Sequence, residues 1–303
     1  MQTQHICLIG HGAWGQAIAK HITTKTQLSI LNKEGKIETI NHTQADNTWE
    51  KIAPTITGII ICTPSQAVGD VLKSLKKKQI NIPILCASKG LYFSDKAYLF
   101  HELYQKLFPK QRQFCYLSGP NFANEVLKNI PTAAIVAGDK ADFWQPILHH
   151  APLHISLHQD LIGTALCGIY KNIAALVAGF CEHPSLGENT RAALLTKAIE
   201  ALRKTITHCQ GDEQTALNIA GIGDIILSGT STQSRNYTYG KQLALGLALK
   251  KEHTTESIIN VEKIQIYLRQ QNRICPLIET AIQCLKHPQN AHHILVAWLD
   301  QQT

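Results

Sequence analysis

The 303-residue sequence predicts a doubly wound, mostly parallel α/β half followed by an all-α half. Up to about residue 158, short apolar, β-branched runs alternate with segments of helical spacing. These runs are apolar on both faces, as expected for strands covered by helices on two sides. After residue 160 the strand pattern stops and helical spacing continues alone. Because 303 residues are also about twice the usual domain size, we expect two domains, 1–158 and 159–303.

The predicted elements follow one another with few interruptions. In the first half we expect strands at residues 6–9, 28–31, 59–62, 82–87, 116–117 and 133–137, and helices at 13–23, 65–77 and 96–107. In the second half we expect helices at residues 161–180, 190–208, 216–227, 237–249, 257–270 and 277–285.

The composition is that of an ordinary globular protein, with 44% hydrophobic and 17% charged residues, which excludes disordered, collagen-like and coiled-coil classes. The net charge of +7 suits a small anionic ligand or indicates nothing in particular, and it is too weak and scattered to indicate a nucleic-acid partner. Nine cysteines without a C-x-x-C pair favour a reducing compartment. The polar first residues do not resemble a secretion signal, and no apolar stretch reaches the roughly 18 residues of a membrane span. We therefore expect a cytoplasmic protein.

A G-x-G-x-x-G motif, formed by Gly10, Gly12 and Gly15, lies between the first predicted strand and helix. In this context the motif is typical of Rossmann-type dinucleotide binding, because its glycines let backbone amides approach a pyrophosphate at the helix N-terminus. A simple tight turn is the alternative. Where NAD-preferring sites usually have an acidic residue, this chain has Asn32 and Lys33. Lys33 mildly favours NADPH, unless its side chain only points into solvent.

Two lysines occupy positions next to or within apolar segments, where a positive charge is unusual. Lys89 follows the strand predicted at 82–87, so it lies either at the ligand-binding edge of the sheet or simply in solvent. Lys171 lies in the middle of an apolar predicted helix. A lysine in that position either snorkels to water or faces a polar cleft.

The second half contains two further polar motifs. Asp224 is a carboxylate flanked by glycines, and Ser234, Arg235 and Asn236 precede or begin a predicted helix. A helix start with a cap, a guanidinium and an amide suits a phosphate group, because amide donors and positive charge converge there. A purely structural helix cap is the alternative.

Taken together, the motifs resemble bacterial NAD(P)-dependent glycerol-3-phosphate dehydrogenases. They occur in the order GHGAWG, TPSQ, SKG, SGPNFANE, IYKN, LGENTRAALLTKAIEAL and AGIGDIILSGTSTQSRNYTYG, from residue 10 to about 246. The resemblance implies a fold like that of 6-phosphogluconate dehydrogenase and the reversible reduction of dihydroxyacetone phosphate to sn-glycerol 3-phosphate for phospholipid synthesis. It also implies NADH or NADPH as cofactor and a homodimer.

The resemblance assigns roles to matching positions. Lys171 corresponds to the proton donor and acceptor, and Lys89 and Asp224 are the other expected catalytic residues. Expected substrate contacts are Lys89, Gly119, Asn121, Lys171, Asp224, Ser234, Arg235 and Asn236. Expected cofactor contacts are Gly10, Gly12, Ala13, Trp14, Gly15, Lys33, Lys89, Ala123, Arg235 and Glu262. No metal is expected, since the histidines lack metal-ligand spacing.

The chain departs from the family pattern at three places. Ala13 replaces a serine, Asn121 replaces a serine or threonine, and Ile169-Tyr170 adds bulk beside Lys171. Two alternatives remain at the level of the sequence. One is another reductase of the same two-domain plan, of the 3-hydroxyacid or ketopantoate type, and the other is a nucleotide-binding relative without catalysis.

Overall fold

The computed structural model describes residues 4–22, 26–32, 37–40, 48–149, 152–248 and 256–301. Internal contacts divide the chain into two compact units, one of Met1–Ser88 and Phe100–Leu161, the other of Lys89–Leu99 and Ile162–Thr303. The second unit therefore includes the segment 89–99, which the sequence-based division assigned to the first domain.

An eight-stranded sheet forms the centre of the first unit. The ten strands of the described residues are β1 His5–Ile9, β2 Gln27–Leu31, β3 Ile37–Ile40, β4 Gly58–Ile61, β5 Ile84–Cys86, β6 Leu91–Phe93, β7 Ala97–Leu99, β8 Phe114–Ser118, β9 Thr132–Ala137 and β10 Leu153–His158. The sheet order is β10-β9-β8-β5-β4-β1-β2-β3, and only the β2–β3 and β8–β9 pairs are antiparallel. This arrangement confirms the mostly parallel α/β prediction.

Helices cover the sheet, and the carboxyl ends of its central strands lead into the predicted binding loops. The helices of the first unit are α1 Ala13–Lys20, α2 Trp49–Ile52, α3 Ser65–Lys77, α4 Phe100–Leu107, α5 Ala123–Leu127 and α6 Ala141–Leu148. The helix predicted from residue 96 begins only at Phe100, because β7 pairs with β6 first. Strand β10 was missed because its alternating Leu153, His154 and Ile155 belong to a half-exposed edge strand rather than to an apolar run.

The second unit is helical apart from the β6–β7 hairpin. Its elements are α7 Leu161–Phe180, α8 Glu188–His208, a 3₁₀ turn Glu213–Leu217, a π-helical turn Ile219–Gly223, α9 Asp224–Thr230, α10 Arg235–Ala244, α11 Glu256–Arg269, α12 Pro276–Lys286, a 3₁₀ turn Pro288–Asn290 and α13 Ala291–Asp300. Leu161 itself clusters with the first unit.

The helix predicted at residues 216–227 is interrupted. Asn218 ends the 3₁₀ turn, and its Oδ1 accepts hydrogen bonds from the amides of Ala220 and Gly221 at 2.8 and 3.3 Å. An asparagine that caps the next turn competes with helix continuation, because its side chain replaces a backbone acceptor. The break lets a separate helix begin at Asp224.

Helix α7 corrects one expectation from the sequence. By length and composition alone this helix is long and apolar enough to cross a membrane, contrary to the expectation that no apolar stretch reaches that length. Within its most apolar window, 83% of the residues are buried inside the protein. A helix that is apolar all round and buried by protein is typical of a core element.

His101 makes folding stability depend on pH. The ring is buried, its Nδ1 lies 3.3 Å from the Tyr116 hydroxyl, and burial lowers the pKa of His101 to about 4. Between about pH 6.5 and 4, His101 is protonated in the unfolded chain but remains neutral in the folded chain. The free energy of unfolding therefore falls as pH drops from about 6.5 to 4. We expect His101→Phe to lose less unfolding free energy than the native chain over that interval, measured by urea denaturation. Equal losses in both proteins would contradict this assignment.

Candidate active site

Asp224 lies between two lysines in the helical unit. Its side chain is buried, with the residue 1% exposed, at the first position of α9. Lys89 Nζ lies 2.5 Å from Oδ2, and Lys171 Nζ lies 3.4 Å from Oδ1. Ser228, one helical turn further along α9, donates a hydrogen bond from its hydroxyl to Oδ1 at 3.2 Å and accepts one from Lys171 at 3.3 Å. The two lysines singled out from the sequence therefore meet on one carboxylate.

Both lysine side chains are mostly buried, which excludes the solvent-exposed alternatives that the sequence left open. The side chains of Lys89 and Lys171 are only 17% and 19% exposed, so Lys89 is not simply solvated and Lys171 does not snorkel to water. Gly168 makes room for the first of them, because a Cβ on this glycine would lie 3.2 Å from Cγ of Lys89. A small residue on α7 thus lets the stem of Lys89 pass against the helix that carries Lys171.

The two cations keep Asp224 ionised. Burial alone would raise the pKa of this carboxyl, because a charged group loses its hydration in the interior. The charges of Lys171 and Lys89 and their hydrogen bonds outweigh burial and lower the pKa below its ordinary value. A buried carboxylate that binds two ammonium groups holds both in place.

The first turn of α10 has the features expected of a phosphate site. Ser234 is the N-cap, and its hydroxyl accepts a hydrogen bond from the amide of Tyr237 at 3.4 Å. Arg235 is exposed, and none of the ion pairs within the described ranges involves it. Asn236 is buried and donates from Nδ2 to Oδ1 of Asn172 at 2.9 Å. Since Asn172 follows Lys171 on α7, this bond connects the two parts of the site.

Glycines bring the backbones of α7 and α10 into contact. A Cβ on Gly179 would come within 2.1 Å of the Tyr237 carbonyl oxygen, and a Cβ on Gly240 within 2.2 Å of the Leu176 carbonyl oxygen. No other residue type fits at either position without moving a helix. The phosphate-type helix start and the helix with Lys171 are therefore held at a fixed separation.

A partly buried polar network continues this contact beyond the first turn of α10. Glu182, just after α7, accepts hydrogen bonds from the Tyr237 hydroxyl, from Arg191 at 3.1 Å and from Lys241 at 2.9 Å. The hydrogen bonds from Tyr237 and Lys241 lower the pKa of Glu182. Burial, together with the hydrogen bond to Glu182, raises the pKa of the Tyr237 phenol to about 12, so it remains a donor. Sequence reasoning did not identify this network, since its members are distant along the chain.

The glycine motif of the first unit forms a nucleotide-type turn. Gly10 has a φ of +100°, and a Cβ there would lie 2.8 Å from the backbone of Cys62. A Cβ on Gly15 would lie 2.2 Å from the Gly10 carbonyl oxygen. Around Gly12, by contrast, no described atom lies within 4 Å of that position, and α1 begins without a side-chain cap. Open space over uncapped amides at a helix start is the environment that a pyrophosphate requires.

The other predicted nucleotide contacts are spread over both units. Ala13 begins α1, Trp14 is half-buried against the core of the first unit, and Ala123 begins α5, which packs on α1. Glu262 is exposed on α11 of the second unit. Lys33 lies outside the described residues. The cofactor roles of these residues stay predictions.

Gly119 and Asn121 form a tight turn after β8. A Cβ on Gly119 would lie 2.8 Å from the Ala133 carbonyl oxygen. Asn121 donates from Nδ2 to that same oxygen at 3.1 Å and accepts at Oδ1 from the Thr132 hydroxyl at 2.9 Å. Its amide therefore ties the turn to β9 at both ends. The substrate contacts predicted for these two residues remain predictions.

The bulk that was expected beside Lys171 points elsewhere. Ile169 and Tyr170 are fully buried, and the Tyr170 hydroxyl lies 2.6 Å from Oγ1 of Thr205 on α8. Adjacent helix positions point about 100° apart, so Tyr170 fills the interior while Lys171 faces Asp224.

Within the described part of the chain, no group of three or more His, Cys, Asp and Glu side chains is arranged to hold a metal ion.

Two residues of the site were missed. Ser228 lies four residues after Asp224, a helical spacing that is visible in the sequence once a helix is known to start at Asp224. Asn260 is fully buried on α11, and its Nδ2 lies 3.5 Å from the Lys89 carbonyl oxygen. No local pattern connects residue 260 with residue 89.

The chain is similar to known proteins over most of its length. Residues 44–143 match the model of the N-terminal domain of NAD-dependent glycerol-3-phosphate dehydrogenases, and residues 160–296 match that of the C-terminal domain. A curated "Glycerol-3-phosphate dehydrogenase [NAD(P)+]" from a Nitratiruptor species is 30% identical over 269 residues, 84% of this chain and 87% of that protein. Another from Methylobacillus flagellatus is 28% identical and covers 93% of each chain. The crystal structure of glycerol-3-phosphate dehydrogenase from Coxiella burnetii superposes with a TM-score of 0.86 at 25% identity, over 99% of both chains.

Proposed function

Because the chain belongs to the family of NAD-dependent glycerol-3-phosphate dehydrogenases, we propose that it reversibly reduces dihydroxyacetone phosphate to sn-glycerol 3-phosphate. The observation that carries this proposal is the pairing of Lys171 and Lys89 on the buried Asp224, coupled through Asn172 and Asn236 to the start of α10. The two lysines on Asp224 suit a substrate oxygen that becomes negative, and the start of α10 suits a phosphate.

Lys171 is the proposed proton donor in the direction of reduction. When the C2 carbonyl of the substrate is reduced, its oxygen gains negative charge and needs a proton. An ammonium at that oxygen supplies both stabilisation and the proton, and in oxidation the amine takes the proton back. Asp224 orients the ammonium and does not itself react. Lys89, on the other oxygen of Asp224, adds a second positive charge for the substrate.

The start of α10 is the proposed phosphate site. The backbone amides of the first helical turn and the dipole of a ten-residue helix attract an anion. The exposed guanidinium of Arg235 is able to bind phosphate oxygens in a bidentate manner. Ser234 fixes the turn as its cap, and Asn236 is aligned by Asn172.

The glycine turn of the first unit fits a dinucleotide, since the space over Gly12 and the uncapped start of α1 suit a pyrophosphate. Members of this family use NADH or NADPH. When bound, such a cofactor supplies the hydride for C2. Gly10 and Gly15 keep the turn close to the sheet and so leave the amides exposed to the phosphates. The preference for NADPH stays a prediction that depends on Lys33.

A substrate panel tests the reaction. We expect loss of NAD(P)H absorbance with dihydroxyacetone phosphate and no comparable loss with ketopantoate or with 3-oxoacids. Activity with either of the latter alone would favour another reductase of the same plan. Nucleotide binding without any turnover would favour a relative that has lost catalysis.

Arg235→Ala tests the phosphate site. A charged hydrogen bond is worth about 1.5–3 kcal/mol, so we expect the KM for dihydroxyacetone phosphate to rise about tenfold to hundredfold. Dihydroxyacetone, which lacks the phosphate, serves as the matched control substrate, and its kcat/KM is expected to change little. An unchanged KM for the phosphorylated substrate would remove Arg235 from the phosphate site.

The cellular setting follows from the same proposal. We propose a cytoplasmic homodimer that supplies sn-glycerol 3-phosphate for phospholipid synthesis, as the resemblance to bacterial enzymes of this family implies. Light scattering on the purified protein tests the dimer, and a mass of one chain, 33.5 kDa, would exclude it.

A further inference from the structure

Helix α11 and Gln270, the residue directly after it, contact the segment that carries Lys89 through three polar side chains. Asn260 Nδ2 lies 3.5 Å from the Lys89 carbonyl oxygen, and Lys263 Nζ donates to the Leu91 carbonyl oxygen at 3.3 Å. Further along, Gln270 Oε1 accepts from the Ala97 amide at 3.1 Å. Each of these contacts is with main chain, so together they fix the path of residues 89–97 rather than any one side chain.

Asn260 and Lys263 share one face of α11, and Gln270 continues that face because its amide still donates to the Ile266 carbonyl oxygen at 3.0 Å. At 100° per residue, Asn260, Lys263 and Gln270 fall within an arc of about 80°. Gln265 points away from this face and donates instead to Glu279 of α12 at 2.8 Å. The contact with residues 89–97 is therefore built by one side of the helix.

Asn260 is the part of this contact nearest to the active site. The residue is completely buried, and its Oδ1 has no hydrogen-bond partner among the described residues. A buried amide with an unpaired oxygen costs stability, and leucine would fill a similar volume without that cost. The contact of Asn260 Nδ2 with the Lys89 carbonyl oxygen therefore explains why a polar residue occupies this position.

We infer that Asn260 is a positioning residue, which with Lys263 and Gln270 holds the segment 89–97 so that the Lys89 ammonium stays on Asp224. This inference rests on the proposed function for its catalytic consequence. Lys89 lies in the loop between β5 and β6, so neither Lys89 nor the residues directly beside it belong to a helix or to the large sheet. Its backbone needs an external support, and α11 provides one.

The test uses Asn260→Leu, Lys263→Met and, as the matched control on the opposite face, Gln265→Leu. The first readout is the rate at which Lys89 reacts with acetic anhydride in the full-length protein, followed by mass spectrometry. In the native chain, burial and the ion pair with Asp224 protect this amine. We expect the rate to rise about fivefold to tenfold in Asn260→Leu, to rise less in Lys263→Met and to stay unchanged in Gln265→Leu.

The second readout is the steady-state kinetics with dihydroxyacetone phosphate. We expect Asn260→Leu to lower kcat/KM about tenfold, since small misplacement of a reacting group is costly, and Gln265→Leu to leave it unchanged. Unchanged labelling of Lys89 in both Asn260→Leu and Lys263→Met overturns the inference. If Asn260→Leu does not fold, Lys263→Met alone decides by the same criterion. Labelling needs no substrate, so an inactive native protein overturns the proposed function and not this inference.

Discussion

Replacing Lys171 by methionine is expected to lower kcat for dihydroxyacetone phosphate by about 10²–10⁴-fold, the usual contribution of a positioned acid. Methionine keeps most of the buried stem but removes the ammonium that lies 3.4 Å from Asp224 and 3.3 Å from Ser228. Without it, no proton donor of α7 is left in these contacts. The affinity for NADPH, measured by fluorescence, is expected to stay near that of the native protein, because the glycine turn belongs to the other unit.

Lys204→Met is the matched control for this experiment. Lys204 is exposed on α8, so its loss removes one positive charge from the same unit without touching Asp224. We expect native kinetics in this variant and a native melting temperature in both. A Lys171→Met protein that turns over as fast as Lys204→Met would rule out the proposed acid–base role.

Asp224→Asn is expected to have the second large effect, on activity and on stability together. The amide has one acceptor for two ammonium groups, and its Nδ2 donor faces one of them. Removing one member of a buried charge group typically costs about 3–5 kcal/mol of unfolding free energy. We expect a loss of that size in urea denaturation, and a fall in kcat of at least about 10²-fold, since neither lysine is then held in place.

The pH dependence separates this effect from a general loss of stability. The pKa of Asp224 is lowered in the folded chain, so its carboxylate stabilises the protein at every pH above the ordinary value of 3.8, and that contribution disappears only as pH falls through the lower folded value. The difference between native and Asp224→Asn protein should therefore be constant from pH 8 to about 4.5 and shrink only in stronger acid. Asp300→Asn, on the exposed end of α13, is the control. A difference that vanishes near neutral pH would contradict the assignment.

The parts of the fold that follow from local pattern were predicted well. Runs that are apolar on both faces become central strands such as β1 and β4, and the bounds of α3 and α7 agree with the periodicity. The glycine turn was also predicted, because its steric requirement is local: Gly10 must adopt a positive φ and Gly15 must pack against it.

What could not be predicted depends on contacts between distant segments. Segment 89–99 joins the helical unit because α11, far along the chain, binds its main chain. From the local sequence alone, Lys89 could lie at the ligand-binding edge of the sheet or in solvent, whereas the structure places its ammonium on Asp224 of the helical unit. The interruption at Asn218 was also missed, since whether an asparagine caps or continues a helix depends on the packing around it.

A crystal structure of the protein with NAD(P)H and sn-glycerol 3-phosphate would show whether Lys171 and the start of α10 bind the same substrate molecule. We expect the C2 hydroxyl within hydrogen-bond distance of Nζ of Lys171, and the phosphate on the first amides of α10 and the guanidinium of Arg235. A phosphoester bound away from Ser234–Asn236, or a Lys171 amine without contact to the C2 oxygen, would contradict this expectation.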